Sequence, residues 1–187
     1  MTTRDTLVEA AADLFYSQGI HACGIDRVVE HSGFSKPTLY KYFRSKGELV
    51  AAVLEMRARN RQSVLEALAN DPDLTPRQAL DAVIEYFVDW YGEGDYRGCA
   101  LINGAVELPD PTHPGRETVR EHKEWMTDFL GEIAASAGLR EPRELAESLV
   151  LLEEGATVMA YVGAGAPVGG QLRRAASALL AAHQQEA

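Results

Sequence analysis

Apolar residues recur every three to four positions along nearly all of this chain, and the pattern breaks where glycine and proline gather. Leu7, Val8, Ala11, Leu14 and Phe15 share one face of a first helix that Thr3 or Asp5 can cap, running to about Ser17 and stopped by Gly19. Ile25, Val28 and Val29 mark a short second helix, and Gly33 supplies a residue free to take positive φ in the turn after it. Ser35 is placed to cap a third helix. Pro37 falls in its first turn, where a missing N–H costs little, and Leu39 and Phe43 form its buried side. Ser45-Lys46-Gly47-Glu48 reads as a capping box for a long fourth helix carrying Leu49, Val53, Met56, Val64 and Leu68.

Asn70 to Thr75 end that helix, and Pro76 opens another over about 76–91 with Ala79, Leu80, Val83, Ile84, Phe87, Val88 and Trp90 at helical intervals. Gly92, Gly94 and Gly98 predict a loop before the apolar run CALINGAVEL, which reads as a short buried helix, and PDPTHPG at 109–115 is too rich in proline for a helix interior. An amphipathic helix follows over 116–137, then one over 142–163 that is apolar around most of its circumference and so predicts cover on more than one side. Gly163 to Gly170 predicts a loop, and 171–184 a last helix with a narrow stripe of Leu172, Ala175, Ala176, Leu179 and Ala182. No strand alternation and no internal repeat interrupts this series of about nine helices, which makes the chain all-α.

The third helix leaves Lys36, Thr38, Tyr40, Lys41 and Tyr42 facing outward. A short helix, a glycine turn and a second helix that presents tyrosines and lysines is the layout of a helix-turn-helix lying in the DNA major groove. The segment SGFSKPTLYKYFRSKGEL, preceded by LFYSQGIHACGIDRV, resembles the DNA-binding domain of the tetracycline-repressor (TetR) family of transcriptional regulators. The shared features are Gly19 after the first helix, the S-G-x-S turn, T-L-Y-x-Y-F, and Ser45-Lys46-x-Glu48 opening the next helix. They cover the first quarter to third of the chain. The resemblance implies a helix-turn-helix domain at 1–46 and a ligand-binding and dimerisation domain at 47–187, three helices and six. It implies that Thr38, Tyr40 and Tyr42 contact phosphates or base edges, that Lys36 and Lys41 reach the groove beside Pro37, and that Lys46 clamps a backbone phosphate. Cys23-Gly24 stands where many relatives place a Thr or Ser cap, which shifts the phosphate-contact expectation at that helix start to Arg27.

Charge qualifies this picture without reversing it. The net charge is −10, yet residues 1–60 carry eight Lys and Arg against seven Asp and Glu, and residues 24–46 hold five basic groups against Asp26 and Glu30. The acid lies in the remaining 127 residues, as solvated surface or as a body that orients the basic tip toward DNA. Cys23 and Cys99 are far apart and read as reduced, buried small residues. A redox role for Cys99 has only Arg97 nearby to lower its pKa. With no run of about 18 apolar residues and no charged-then-apolar leader pattern, the expectation is a soluble, cytoplasmic protein without membrane contact.

Function in the second part is less legible. The resemblance implies a homodimer released from an inverted-repeat operator by a small-molecule effector, with repression the common mode. Phe87, Trp90, Tyr91, Trp125, Phe129 and Met159 supply apolar surface for a pocket or simply for a core. Asn103 and Glu107 share a helix face, and Glu153 interrupts an apolar helix. Each carboxylate there calls for a ligand or for a partner among Arg97, Arg116 and Arg120. Gly155, Ala156 and Ala160 with Ala175, Ala178 and Ala182 would let helices approach closely across a two-fold axis. No cofactor is implied. Two readings compete: a constitutive DNA-binding protein without effector, and a metal-dependent hydrolase built on Glu107, His113, Glu121 and His122 with Glu107 as base. Their spacing fits no compact ligand motif, H-E-x-x-H and G-x-S-x-G are absent, and the simpler expectation puts His113 in the proline loop and His122 on a helix surface.

Overall fold

A computed structural model describes residues 2–163 and 167–185. Nine helices and no strand occur among them: α1 (Thr3–Gln18), α2 (Ile25–Ser32), α3 (Lys36–Tyr42), α4 (Lys46–Ala69), α5 (Pro76–Trp90), α6 (Ala100–Glu107), α7 (Pro114–Ser136), α8 (Pro142–Tyr161) and α9 (Val168–Ala182). The all-α expectation is met, with each helix close to its expected place. Caps explain the small differences. Thr2, one residue before Thr3, caps α1, because its side chain accepts the Asp5 N–H while Asp5 accepts the Thr2 N–H. Half of the expected box at Ser45 forms: Ser45 Oγ accepts from Glu48 N, whereas the Glu48 carboxylate reaches back to Arg44 N. Helix α9 starts at Val168, so Gly169 and Gly170 are helical rather than part of the expected loop, whose residues 164–166 lie outside those described.

The chain packs as two compact units, Met1–Arg61 with Cys99–His122, and Gln62–Gly98 with Lys123–Ala187. The expected boundary after residue 46 therefore falls inside the first unit. That unit has its own core, in which Leu7, Ala11, Cys23, Val28, Leu39 and Leu49 are fully buried. Leu101 and Leu108, at the two ends of α6, are buried in the same core, so α6 belongs with the helix-turn-helix. Within α6, Gly104 gives close approach: a Cβ there would lie 2.7 Å from a Leu54 methyl.

The second unit buries Leu65, Leu80, Leu145, Ala146, Ala176 and Leu180, with α9 packed on both α5 and α8. Arg140, between α7 and α8, ties that turn to the end of α9, donating to the carbonyls of Ala182 and Gln184 while its own N–H meets the His183 carbonyl. Helix α8 is less covered than its sequence predicts, with Leu151, Val158, Met159, Tyr161 and Val162 exposed. Ala156, expected on the contact surface, instead sits in the core. Among the described residues no helix is long and apolar enough to cross a membrane.

Candidate nucleic-acid interface

Helix α2 ends on Gly33, whose φ of 71° lets its N–H reach the Val29 carbonyl and turn the chain sharply. Ser35 then caps α3, its Oγ accepting from Thr38 N and pairing with the Thr38 hydroxyl at 2.8 Å. Val28 and Leu39 are fully buried and Phe43 nearly so, which fixes the opposite face of α3 outward. Tyr40 and Tyr42 remain 45% and 40% exposed, and Lys41 and Pro37 are exposed with them. Two large aromatic rings in solvent on a seven-residue helix contribute little to a core. They form, with Lys41, a surface suited to phosphate oxygens and base edges.

The other expected contacts divide. Arg27 is exposed on α2, whose Gly24 N-cap lacks a side-chain hydrogen bond, in line with the missing Thr or Ser. Thr38 is half-buried and engaged by Ser35. Lys36 is exposed but joined to Asp26 at 2.8 Å, a contact that holds the lysine proton more firmly than usual and pins the start of α3 to α2. Lys46, expected to clamp a backbone phosphate, is half-buried. Its Nζ donates to the Ile20 carbonyl at 2.5 Å and lies 5.9 Å from the centre of the Phe15 ring, so the charge is turned onto the α1–α2 turn.

The nine residues expected to form one pocket are dispersed. Asn103 and Glu107 belong to the first unit, beside a cavity of about 20 Å³ that Phe15, Tyr16, Val53 and Arg57 also line, room for roughly one water. In the second unit, Phe87 and Glu153 border an apolar cavity of similar size with Val83, Leu130, Leu149 and Leu172. Trp125 and Phe129 stack at 4.9 Å on a separate open groove of about 480 Å³, and Met159 is exposed. Trp90, Tyr91 and Tyr96 form an aromatic cluster, Trp90 and Tyr96 meeting edge to face at 4.9 Å.

The carboxylates find partners that sequence reasoning missed. Thr157, buried in α8, donates to Glu153 at 2.7 Å and shares a hydrogen bond with the Tyr91 hydroxyl, which also reaches the Glu153 carbonyl. Tyr96 donates to the Thr157 carbonyl. Burial first, then the Glu153 charge, keeps the Tyr91 hydroxyl protonated far above its ordinary range. Glu154 pairs with Lys123. Glu107 accepts from Ile20 N and His21 N, Arg116 donates to the Ala105 and Leu108 carbonyls, and Arg120 pairs with Glu117. Arg116 and Arg120 thus have partners other than Glu107 and Glu153.

The hydrolase set does not assemble either. His113 orders the proline loop as expected, its Nδ1 accepting from Gly115 N, but His122 is buried rather than on the surface. Among the described residues, the group that brings three ligand-type atoms within 4.8 Å is Glu141, Glu144 and His183, which shares no residue with that set.

Comparisons with known proteins agree with the geometry of α2 and α3. The profile described as bacterial regulatory proteins, tetR family, matches residues 7–53. The transcriptional activator FasR of Mycolicibacterium smegmatis is 42% identical over 100 residues, which are 53% of this chain and 44% of FasR, so the chain spans under half of that relative. The crystal structure of a TetR-type transcriptional regulator from Streptomyces avermitilis superposes with a TM-score of 0.87 at 31% identity, covering 100% of both chains. A TetR-family regulator from Streptomyces coelicolor gives 0.89 at 28% identity over 98% of this chain and 96% of its own. These relatives are all transcriptional regulators, which sets the hydrolase reading aside. By its helix-turn-helix, its nine described helices and its full-length likeness to such a regulator, the chain belongs to the TetR family of bacterial transcriptional regulators.

Proposed function

We propose that the chain binds an inverted-repeat operator as a homodimer, through Tyr40, Lys41 and Tyr42 on α3 with Arg27 and Pro37 beside them, and that it acts as a repressor released by a small molecule bound in the second unit. The exposed face of α3 carries this reading: tyrosines and a lysine project from a helix whose other side is locked by Val28, Leu39 and Phe43. Lys36 and Thr38 add to the surface from its start, at reduced reach because Asp26 and Ser35 engage them. The partners are double-stranded DNA, a second copy and an effector, with no membrane.

The effector site is assigned to the Tyr91, Tyr96, Glu153 and Thr157 network beside the apolar cavity at Phe87. A carboxylate on the rim of an apolar cavity suits a cationic or hydrogen-bond-donating molecule. One observation favours the constitutive alternative, since a cavity of about 20 Å³ is far below the few hundred cubic ångströms of a small-molecule site. An effector must therefore select an opened state, and it shifts the DNA equilibrium only by its differential affinity for the two states.

Selection of bound fragments from random duplex DNA tests the reading. Enrichment of an inverted repeat with half-sites one helical turn apart, about 34–36 Å, is expected. Recovery of unenriched sequence would overturn it.

A further inference from the structure

The turn leading into the DNA reader is held by a side chain from far along the chain. Glu107, the last residue of α6, accepts the N–H of Ile20 at 2.9 Å and of His21 at 2.7 Å, while Lys46 donates to the Ile20 carbonyl. Three polar backbone groups between α1 and α2 are thus fixed by two side chains of opposite charge. Gly19 makes room for this contact: its φ is 90°, and a Cβ there would lie 3.3 Å from a Glu107 carboxylate oxygen.

Glu107 stands against its local preference. A carboxylate at the C-terminal end of a helix faces the negative end of the helix dipole. The Arg116 guanidinium, bonded to the Ala105 and Leu108 carbonyls, caps that end, and the two amides of the turn supply charge-assisted hydrogen bonds to the carboxylate. From the turn, position is passed on by packing. Ile20 and Cys23 are buried in the same core as Val28 and Leu39, which seat α2 and α3.

We propose that Glu107 is a positioning residue for DNA recognition: by clamping the turn 19–21 it sets the register in which α3 meets base edges, so that α6 is part of the DNA reader. This rests on the assignment of α3 as the reading helix. Phosphate contacts tolerate small shifts of register, whereas base-edge contacts do not. The proposal therefore separates operator binding from general DNA binding.

The test uses the full chain and the operator selected with the unmodified protein. Glu107→Gln keeps the size and one acceptor oxygen but turns an NH₂ group toward the second amide. Fluorescence anisotropy is measured on the operator duplex and on a scrambled duplex of equal length, and amide hydrogen exchange is followed at Ile20, His21, Leu49 and Val50. The expected result is a Kd raised about tenfold on the operator and within about twofold on the scrambled duplex, the size of one lost charge-assisted bond. The Ile20 and His21 amides exchange faster, and Leu49 and Val50 do not. Removing a negative charge alone favours phosphate binding, so electrostatics does not account for such a loss. Equal losses on both duplexes, no loss on either, or unchanged exchange at Ile20 and His21 would overturn the proposal. If E107Q does not fold, E107D, one methylene short of the turn, is measured in the same way, and failure of both to fold overturns it by making the contact a requirement of the fold. Absence of any selected operator with the unmodified chain refutes the reading of α3 itself, before Glu107 is altered.

Discussion

Replacing Leu151 by alanine should dissociate the proposed homodimer while leaving the protomer folded. Leu151 and Val158 on α8 and Val162 at its C-cap fall at intervals of seven and four, hence on one face, and are 75%, 47% and 61% exposed. Fully burying a leucine side chain is worth about 1.5–3 kcal/mol, so covering the open three-quarters of Leu151 gives roughly 1–2 kcal/mol. A two-fold interface buries the residue once on each protomer, which brings the loss to roughly 2–4 kcal/mol and raises the dimer Kd about 30- to 1,000-fold. The protomer should lose no more than about 0.5 kcal/mol, since the side chain contributes little to its core. Sedimentation equilibrium over a series from nanomolar to micromolar protein reads the Kd, and far-UV circular dichroism monitors folding. Val106→Ala is the control, being 79% exposed on α6 in the other unit. A Kd for L151A within about threefold of the parent, or a parent that is monomeric throughout the series, would refute α8 as the dimer surface.

Three further outcomes follow from the geometry. Lys41→Ala should relax the preference at one base position of the selected operator and lower the slope of log K against log salt by about 1, read by anisotropy at several salt concentrations. Thr157→Val should lower unfolding stability by about 1–3 kcal/mol in urea titrations, because it strips the buried link between the Glu153 carboxylate and the Tyr91 hydroxyl without opening a cavity. Glu85, bonded to Arg173, has a carboxyl held below its ordinary value of 4.5. A depressed folded-state pKa contributes stability above the unfolded value and loses it as pH falls through the folded one, so the thermal-stability gap between the parent and Glu85→Gln should be present at neutral pH and close progressively below 4.5. A gap that widens on acidification would show that the pair does not stabilise the fold.

The sequence carries those features whose cause lies within a few residues. Caps at Ser35 and Thr75, the positive φ at Gly33 and the proline at the start of α3 and α5 are all local, and the periodic apolar positions fall where the cores bury them. The outward face of α3 was legible for the same reason, since Leu39 and Phe43 define the inward one. What depended on distant partners was not. Lys46 has the spacing of a phosphate contact but finds the Ile20 carbonyl 26 residues away, and Glu107 finds amides 86 and 87 residues away. Periodicity recovers a helix face, and nothing in it says which backbone groups a terminal carboxylate will meet.

The same distinction explains why the residues expected in one pocket are dispersed while the outward residues of α3 stay together. A helix-turn-helix is contiguous in sequence, so its surface residues share one short piece of chain and one orientation. The candidate pocket drew on α5, α6, α7 and α8, whose apolar and acidic residues have equivalent local signatures whether they line a cavity or fill a core. Asn103 and Glu107 looked like polar groups awaiting a ligand, yet Glu107 satisfies the turn into the reader. Glu153 looked similar and is met by Thr157 on its own helix, four residues on, with Tyr91 completing the network. Both carboxylates obey the rule that a charge in an apolar setting needs partners, which include two backbone amides at Glu107 and a hydroxyl at Glu153. An amide clamp constrains position without adding net charge. At Glu107 that property matters, because an arginine there would have brought a second cation to the turn that Lys46 already occupies, whereas the carboxylate complements it.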